Sequence, residues 1–274
     1  MTITDTMPPA EADITDPGGP SISSVGKALQ LLDAFLTIGP VAGVSELARA
    51  AGLPKSTAFR LLNHLQMAGY VEHSGSDYYL NLRVFELGSQ VGVCRPDGLR
   101  ALAAPFVAEL FRETSHAAHL AVLDGPEVLY IEKIAGHNAP RVPTAVGGRM
   151  PASCTALGKA MLPFGHDEAT RKILSAGLTR RTPHSATAPG LFTSQLRRIG
   201  ETGVAFDREE STLGVACVAA PIKFRGTAVA AVSVSGPTSR LDPEKTAPRV
   251  LRTAARISAL YARQQAERTR QAIA

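Results

Sequence analysis

Residues 55–64, KSTAFRLLNH, gather the side chains whose types and spacing point most directly to a chemistry. Arg60 and Asn63 are of the kinds that make paired hydrogen bonds to guanine and adenine edges, whereas Lys55, Ser56 and Thr57 suit phosphate oxygens. At helical spacing Ala58, Leu61, Leu62 and Leu65 share one face, which leaves those five polar residues and His64 outside. Such a helix is built to enter the major groove of double-stranded operator DNA. The same two-faced unit also occurs in protein-binding domains, so a ligand-independent protein-binding module is an alternative on these residues alone.

Catalytic chemistry is the other alternative. A hydrolase-like or other enzyme would use Cys154 or Cys217 as nucleophile, with His116, His119, His137 or His184 as base. Nothing in the order of the chain brings these groups together. His116 and His119 lack an evident third ligand, and Cys94, Cys154 and Cys217 form no Cys-x-x-Cys pair, so neither metal nor cofactor is expected. Lys159 follows Gly158 without a preceding phosphate-loop pattern and reads as a solvated helix residue.

The elements that must hold the DNA-reading face are legible around it. Val25, Ala28, Leu29, Leu32 and Phe35 recur at helical spacing and define a first helix that Gly39-Pro40 ends. Ser45 is placed to cap a second helix, ELARAA, and Ala48 with Gly52 provides the close approach and turn of a helix-turn-helix. Pro54 opens the reading helix and Gly69 closes it. The run from Val71 to Leu80 is a β-hairpin with a polar tip, a wing that carries His73 toward DNA. Helix returns over 81–93 and again after Pro96.

Beyond this connector, strands are expected at HLAVL, EVLYIEKI, RVPTAV, VAFDRE, GVACVAAPI and TAVAAVSVSG. Helices fit TALGKAML, DEATRKILSAG, FTSQLRRIGETG and the run from Pro243 to about Arg270. The class is α+β, divided into a disordered tail over 1–22, a winged helix-turn-helix over 23–83, a linker helix region over 84–100 and an effector-binding domain over 101–267. Net charge is +5, and the tail contributes Asp5, Glu11, Asp13 and Asp16 with no base, so the rest carries about +9. The winged unit itself is nearly balanced, and firm binding calls for two copies on adjacent half-sites. No apolar run is long enough to span a membrane, and the acidic N-terminus is unlike a secretory signal, so a cytoplasmic protein is expected.

From about Ser23 to Arg263 the chain resembles the IclR family of bacterial transcriptional regulators. The resemblance rests on SVGKALQLLDAF, ELARAAGLPKSTAFRLLNHLQMAGYV, RMPASCTALGKAML and GVAFDREESTLGVACVAAPI, the last with Gly203, Asp207, Glu210 and Cys217 in register. Lys223-Phe224 depart from the end of that signature, and Ser153 stands where the family's glyoxylate and pyruvate sensors usually carry His. The resemblance implies a winged helix-turn-helix, a linker helix and a GAF-like α/β effector-binding domain, assembled as a homodimer or homotetramer. It also implies a regulator, most often a repressor of a catabolic operon, responding to a small carboxylate or aromatic acid effector. The implied effector contacts are Ala156 and Leu157 at a helix start, Asp207, Cys217, and Ser233 with Ser235. The helix start favours a carboxylate, and the two serines share one side of a strand. Asp207 has a plainer role open to it as the cap of a local turn.

Overall fold

The computed structural model describes residues 22–136, 144–165 and 167–273. The tail expected over 1–22 lies outside these but for Ile22, as do His137 and the first half of the strand expected at RVPTAV. The chain divides into two compact units between Phe85 and Glu86.

The first unit begins with α1 (Ser24–Ile38), capped by the Ser23 hydroxyl, which accepts from Gly26 N at 3.1 Å. Leu31, Ala34 and Phe35 are its buried face, whereas Val25 and Leu29 of the expected stripe are 70% and 55% exposed. The helix is apolar nearly all round, so periodicity alone did not select the face that packs. After β1 (Val41–Gly43) comes α2 (Val44–Ala50), and Ser45 sits inside that helix rather than capping it. The Glu46 carboxylate instead accepts from Gly43 N at 2.9 Å, because the three-residue strand, unforeseen in the sequence, ends one residue before the helix and leaves Gly43 as its cap. Gly52 adopts φ +64°, open to glycine at little cost, and turns the chain into α3 (Lys55–Met67). The wing is β2 (Val71–Ser74) and β3 (Asp77–Leu80), and β3 is the middle strand of a sheet ordered β1-β3-β2. Leu31, Leu47, Leu62 and Tyr78 form the core.

The connector is not one helix. Helix α4 (Leu82–Ser89) gives way to turns, and α5 (Leu99–Thr114) starts only after Gly98. Pro96 and two glycines in this stretch oppose continuous helix.

In the second unit, β4 (Ala117–Asp124), β5 (Glu127–Ile134) and β6 (Arg149–Pro151) precede α6 (Ala156–Met161), α7 (Asp167–Ala176) and α8 (Pro189–Thr202). Then follow β7 (Ala205–Arg208), β8 (Val215–Phe224), β9 (Thr227–Pro237) and α9 (Pro243–Ile273). The six strands make one antiparallel sheet in the order β6-β5-β4-β9-β8-β7. On one face Val107, Leu110, Val232, Val250 and Ile257 join α5 and α9 to the strands. On the other, Leu157, Met161, Phe192 and Ala219 do the same for α6 and α8. With both faces covered, β8 is buried from Val215 to Ile222, which explains its unbroken apolar run.

Candidate functional site

Two sets of residues carry the expected chemistry, one in each unit. Along α3, Lys55, Ser56, Arg60 and His64 are exposed, Thr57 and Asn63 are half-buried, and Ala58, Leu61 and Leu62 are buried. No hydrogen bond or ion pair among the described residues engages these polar side chains. They are free to exchange water for DNA at no cost in internal bonds. Phe59 lies on the same helix at 50% exposure. An exposed apolar ring is of the kind that packs on a thymine methyl group, and the sequence reading placed Phe59 on neither face of the helix. His73, on the wing, is exposed and stacks on the buried Tyr78 ring with centroids 4.3 Å apart.

In the second unit the register of the sheet assembles a cavity. Asp207 pairs with Cys217 across β7 and β8, and Cys217 pairs with Ser235 across β8 and β9. One step along, Ala219, Ser233 and His119 align across β8, β9 and β4. Small side chains in both rows leave space over the sheet, and α6 roofs it. All six expected effector residues, Ala156, Leu157, Asp207, Cys217, Ser233 and Ser235, line that space. It offers about 30 Å³ to water centres, room for roughly two waters before any side chain moves.

The roof is close because Gly158 permits it. A Cβ at this position would lie 2.3 Å from both Cα and the carbonyl oxygen of Ala152. The Thr155 hydroxyl caps α6, accepting from Gly158 N at 3.2 Å.

Polar groups in the cavity differ in how they are engaged. Asp207 Oδ1 accepts from Glu210 N at 2.7 Å and Ser211 N at 3.3 Å, and Oδ2 accepts from the Ser211 hydroxyl at 2.5 Å, so it does cap the local turn. Burial pushes its carboxyl up to about 6, against the pull of Ser211 and Lys159. The Ser235 hydroxyl is buried without a hydrogen-bond partner, and that of Ser233 has none but the neighbouring Cys217 thiol. His119, Tyr130, Thr144 and Thr155 also line the space. Sequence reasoning considered His119 only as a base or metal ligand, since the β4–β9 pairing that sets it opposite Ser233 cannot be read from either strand.

His119 Nε2 lies 3.2 Å from the Thr144 hydroxyl. Burial, with the charge of Lys133, lowers its pKa to about 3. Burial likewise pushes the Cys154 thiol up to about 12 and raises that of Cys217. Thiols held protonated and an imidazole this weakly basic are poorly suited to nucleophilic catalysis. Among the described residues no cluster of His, Cys, Asp or Glu is suited to a metal.

Lys159 corrects the sequence reading. It is 1% exposed and ion-paired with Glu210 Oε1, and its Nζ donates to Gln195 Oε1 at 3.5 Å. Every residue of α6 is buried between the sheet and α8, so no face of this helix meets solvent.

A winged helix-turn-helix with a free polar reading face, joined in one chain to a domain holding a small, mostly apolar cavity with a few polar groups, defines a DNA-binding transcriptional regulator with an effector domain. The profile of the IclR helix-turn-helix domain matches residues 24–75, and that of the bacterial transcriptional regulator IclR C-terminal domain matches residues 93–259. The chain belongs to the IclR family. It is 35% identical to the HTH-type transcriptional regulator XynR of Escherichia coli, covering 83% of this chain and 91% of that one. The Escherichia coli transcriptional repressor IclR is 30% identical over 84% of this chain and 86% of its own. Among solved structures, an IclR homolog of Microbacterium hydrocarbonoxydans complexed with 4-hydroxybenzoate has a TM-score of 0.79 at 25% identity, covering 86% of this chain and 98% of that one. Thermotoga maritima IclR has a TM-score of 0.71 at 28% identity, covering 87% and 98%. The relatives are named as regulators, and this protein is a regulator rather than an enzyme. No described helix is long and apolar enough to cross a membrane.

Proposed function

We propose that this protein represses a catabolic operon and is modulated by a small carboxylic acid held between α6 and the β7–β8–β9 face. The observation that carries the reading is the pair of buried hydroxyls of Ser233 and Ser235, of which Ser235 has no partner and Ser233 none but the Cys217 thiol. A buried polar group short of partners costs free energy, and two on one strand face of a cavity call for a ligand that bonds both. The ligand's carboxylate faces the start of α6 and its other oxygens face the serines. The limited free space favours a compact aliphatic acid. An aromatic acid, the class bound by the Microbacterium homolog, requires lining side chains to move outward.

Operator reading falls to Lys55, Ser56, Thr57, Arg60, Asn63 and His64, with His73 on the adjoining backbone. Two copies bind the two half-sites. The effector shifts the population between paired arrangements that hold DNA unequally. The test is a thermal-shift screen of keto acids and aromatic acids, followed by gel-shift on the protein's own promoter with each hit. A stabilising acid that changes operator affinity in the parent, and no longer does so in Ser235→Ala, is the expected result. An unchanged response in Ser235→Ala removes the assignment, and no sequence preference in the gel-shift removes the regulator reading for a docking module.

A further inference from the structure

Lys159 and Glu210 belong to a second cavity, which shares α6 and β7 with the effector pocket but no lining residue. Along β7, Asp207 faces the first cavity, whereas Phe206 and Arg208 line the second, as alternation on a strand requires. On α6 the division falls between Leu157 and Lys159. The second space offers about 170 Å³ to water centres, several times that of the first. Gln195, Arg198 and Thr202 of α8 form its rim.

The groups inside it are incompletely used. Lys159 Nζ has three N–H donors, and Glu210 Oε1 and Gln195 Oε1 engage two. Glu210 Oε2 is buried with no partner, on a residue 7% exposed. Arg208 is drawn to Glu244 and lies over the Phe206 ring, whereas Arg198 is exposed and no ion pair among the described residues engages it. The cavity therefore offers cationic donors from Arg198 and Lys159 beside one acceptor that lacks a donor.

We propose that this cavity is a second small-molecule site, for a small 2-hydroxycarboxylate whose carboxylate lies against Arg198 and Lys159 and whose hydroxyl donates to Glu210 Oε2. A plain carboxylate leaves Glu210 Oε2 unpaired. A 2-amino acid brings an ammonium against Lys159, whose charge already neutralises Glu210. A hydroxyl answers the acceptor without added charge. Asp207 connects the two sites: it lines the first, and its carboxylate fixes the backbone of Glu210 in the second.

Lactate, alanine and propionate are three-carbon acids that differ in the 2-substituent, and calorimetric titration of the full chain with each is the test. Lactate binds at least tenfold tighter than the other two, and Arg198→Ala weakens it at least tenfold. Arg197→Ala, an exposed neighbour outside the cavity, leaves it unchanged. Absence of lactate binding, equal affinity for propionate, tighter binding of alanine, or indifference to Arg198→Ala each overturns the proposal. None of these outcomes bears on the Ser235 test of the effector pocket, which is read through operator DNA.

Discussion

Asp207 is the residue on which chemistry and structure bear most heavily. Its carboxyl titrates near 6 rather than at 3.8, chiefly through burial. The stability gained by keeping it protonated is complete below the unfolded carboxyl range near 4 and is lost as pH rises through about 6. A carboxylate bound beside it meets the same penalty. Affinity for an acidic effector is expected to fall above pH 6, approaching tenfold per pH unit where one proton is taken up on binding. His119, neutral far above its pKa near 3, adds nothing across this window. In Asp207→Asn, calorimetry between pH 5.5 and 8 should give a flat profile; a parent curve that is itself flat refutes the linkage. On the reading helix, Arg60→Ala should weaken operator binding by about 1–3 kcal/mol and relax base preference at one position. Fluorescence anisotropy with single-base operator variants measures both effects.

Among the elements, α6 has the least freedom. It is six residues long, buried throughout, and seated on Ala152 where only a hydrogen fits. Gly158→Ala should cost about 1–3 kcal/mol in urea unfolding, since the obstructing atoms are backbone and do not rotate away. Effector affinity should drop with it, because the helix start is displaced from the serines. A Gly158→Ala protein with parental stability and ligand affinity contradicts this account of the roof. Long elements such as α3, β8, β9 and α9 were legible in the sequence because each carries its pattern, a helical period or a continuous apolar run, over many residues. The expected stripe of α1 was half wrong for the opposite reason: Leu31 and Leu29 are equally apolar, and only packing selects Leu31. β1 has three residues, too few for a period, and its presence moved the α2 cap from Ser45 to Gly43 with Glu46. The effector residues were found through motif likeness. Their meeting depends on strand register, and His119 went unrecognised for that cause. Lys159 was misplaced because a charged residue in a helix normally finds water, and its partner Glu210 lies 51 residues on.

At the scale of the whole molecule, charge argues for assembly. The winged unit holds Lys27, Arg49, Lys55, Arg60 and Arg83 against Asp33, Glu46, Glu72 and Asp77, which leaves little excess to draw one copy to a duplex. Its α1 also exposes Val25, Leu29 and Leu36, and α4 exposes Leu82 and Phe85, more large apolar groups than a lone small unit needs to show. Both facts are met if two chains pair through these helices and present two α3 segments to successive half-sites. Light scattering should then give at least twice the mass of one chain. Val25→Ser combined with Leu29→Ser should reduce it toward a single chain, with circular dichroism unchanged because neither side chain is buried. The decisive reading is the salt dependence of operator binding. Each phosphate neutralised contributes about −0.9 to the slope of log affinity against log salt, so halving the number of bound copies halves the slope. If the double variant binds more weakly but keeps the parent's slope, two copies still sit on the DNA and pairing runs through some other surface.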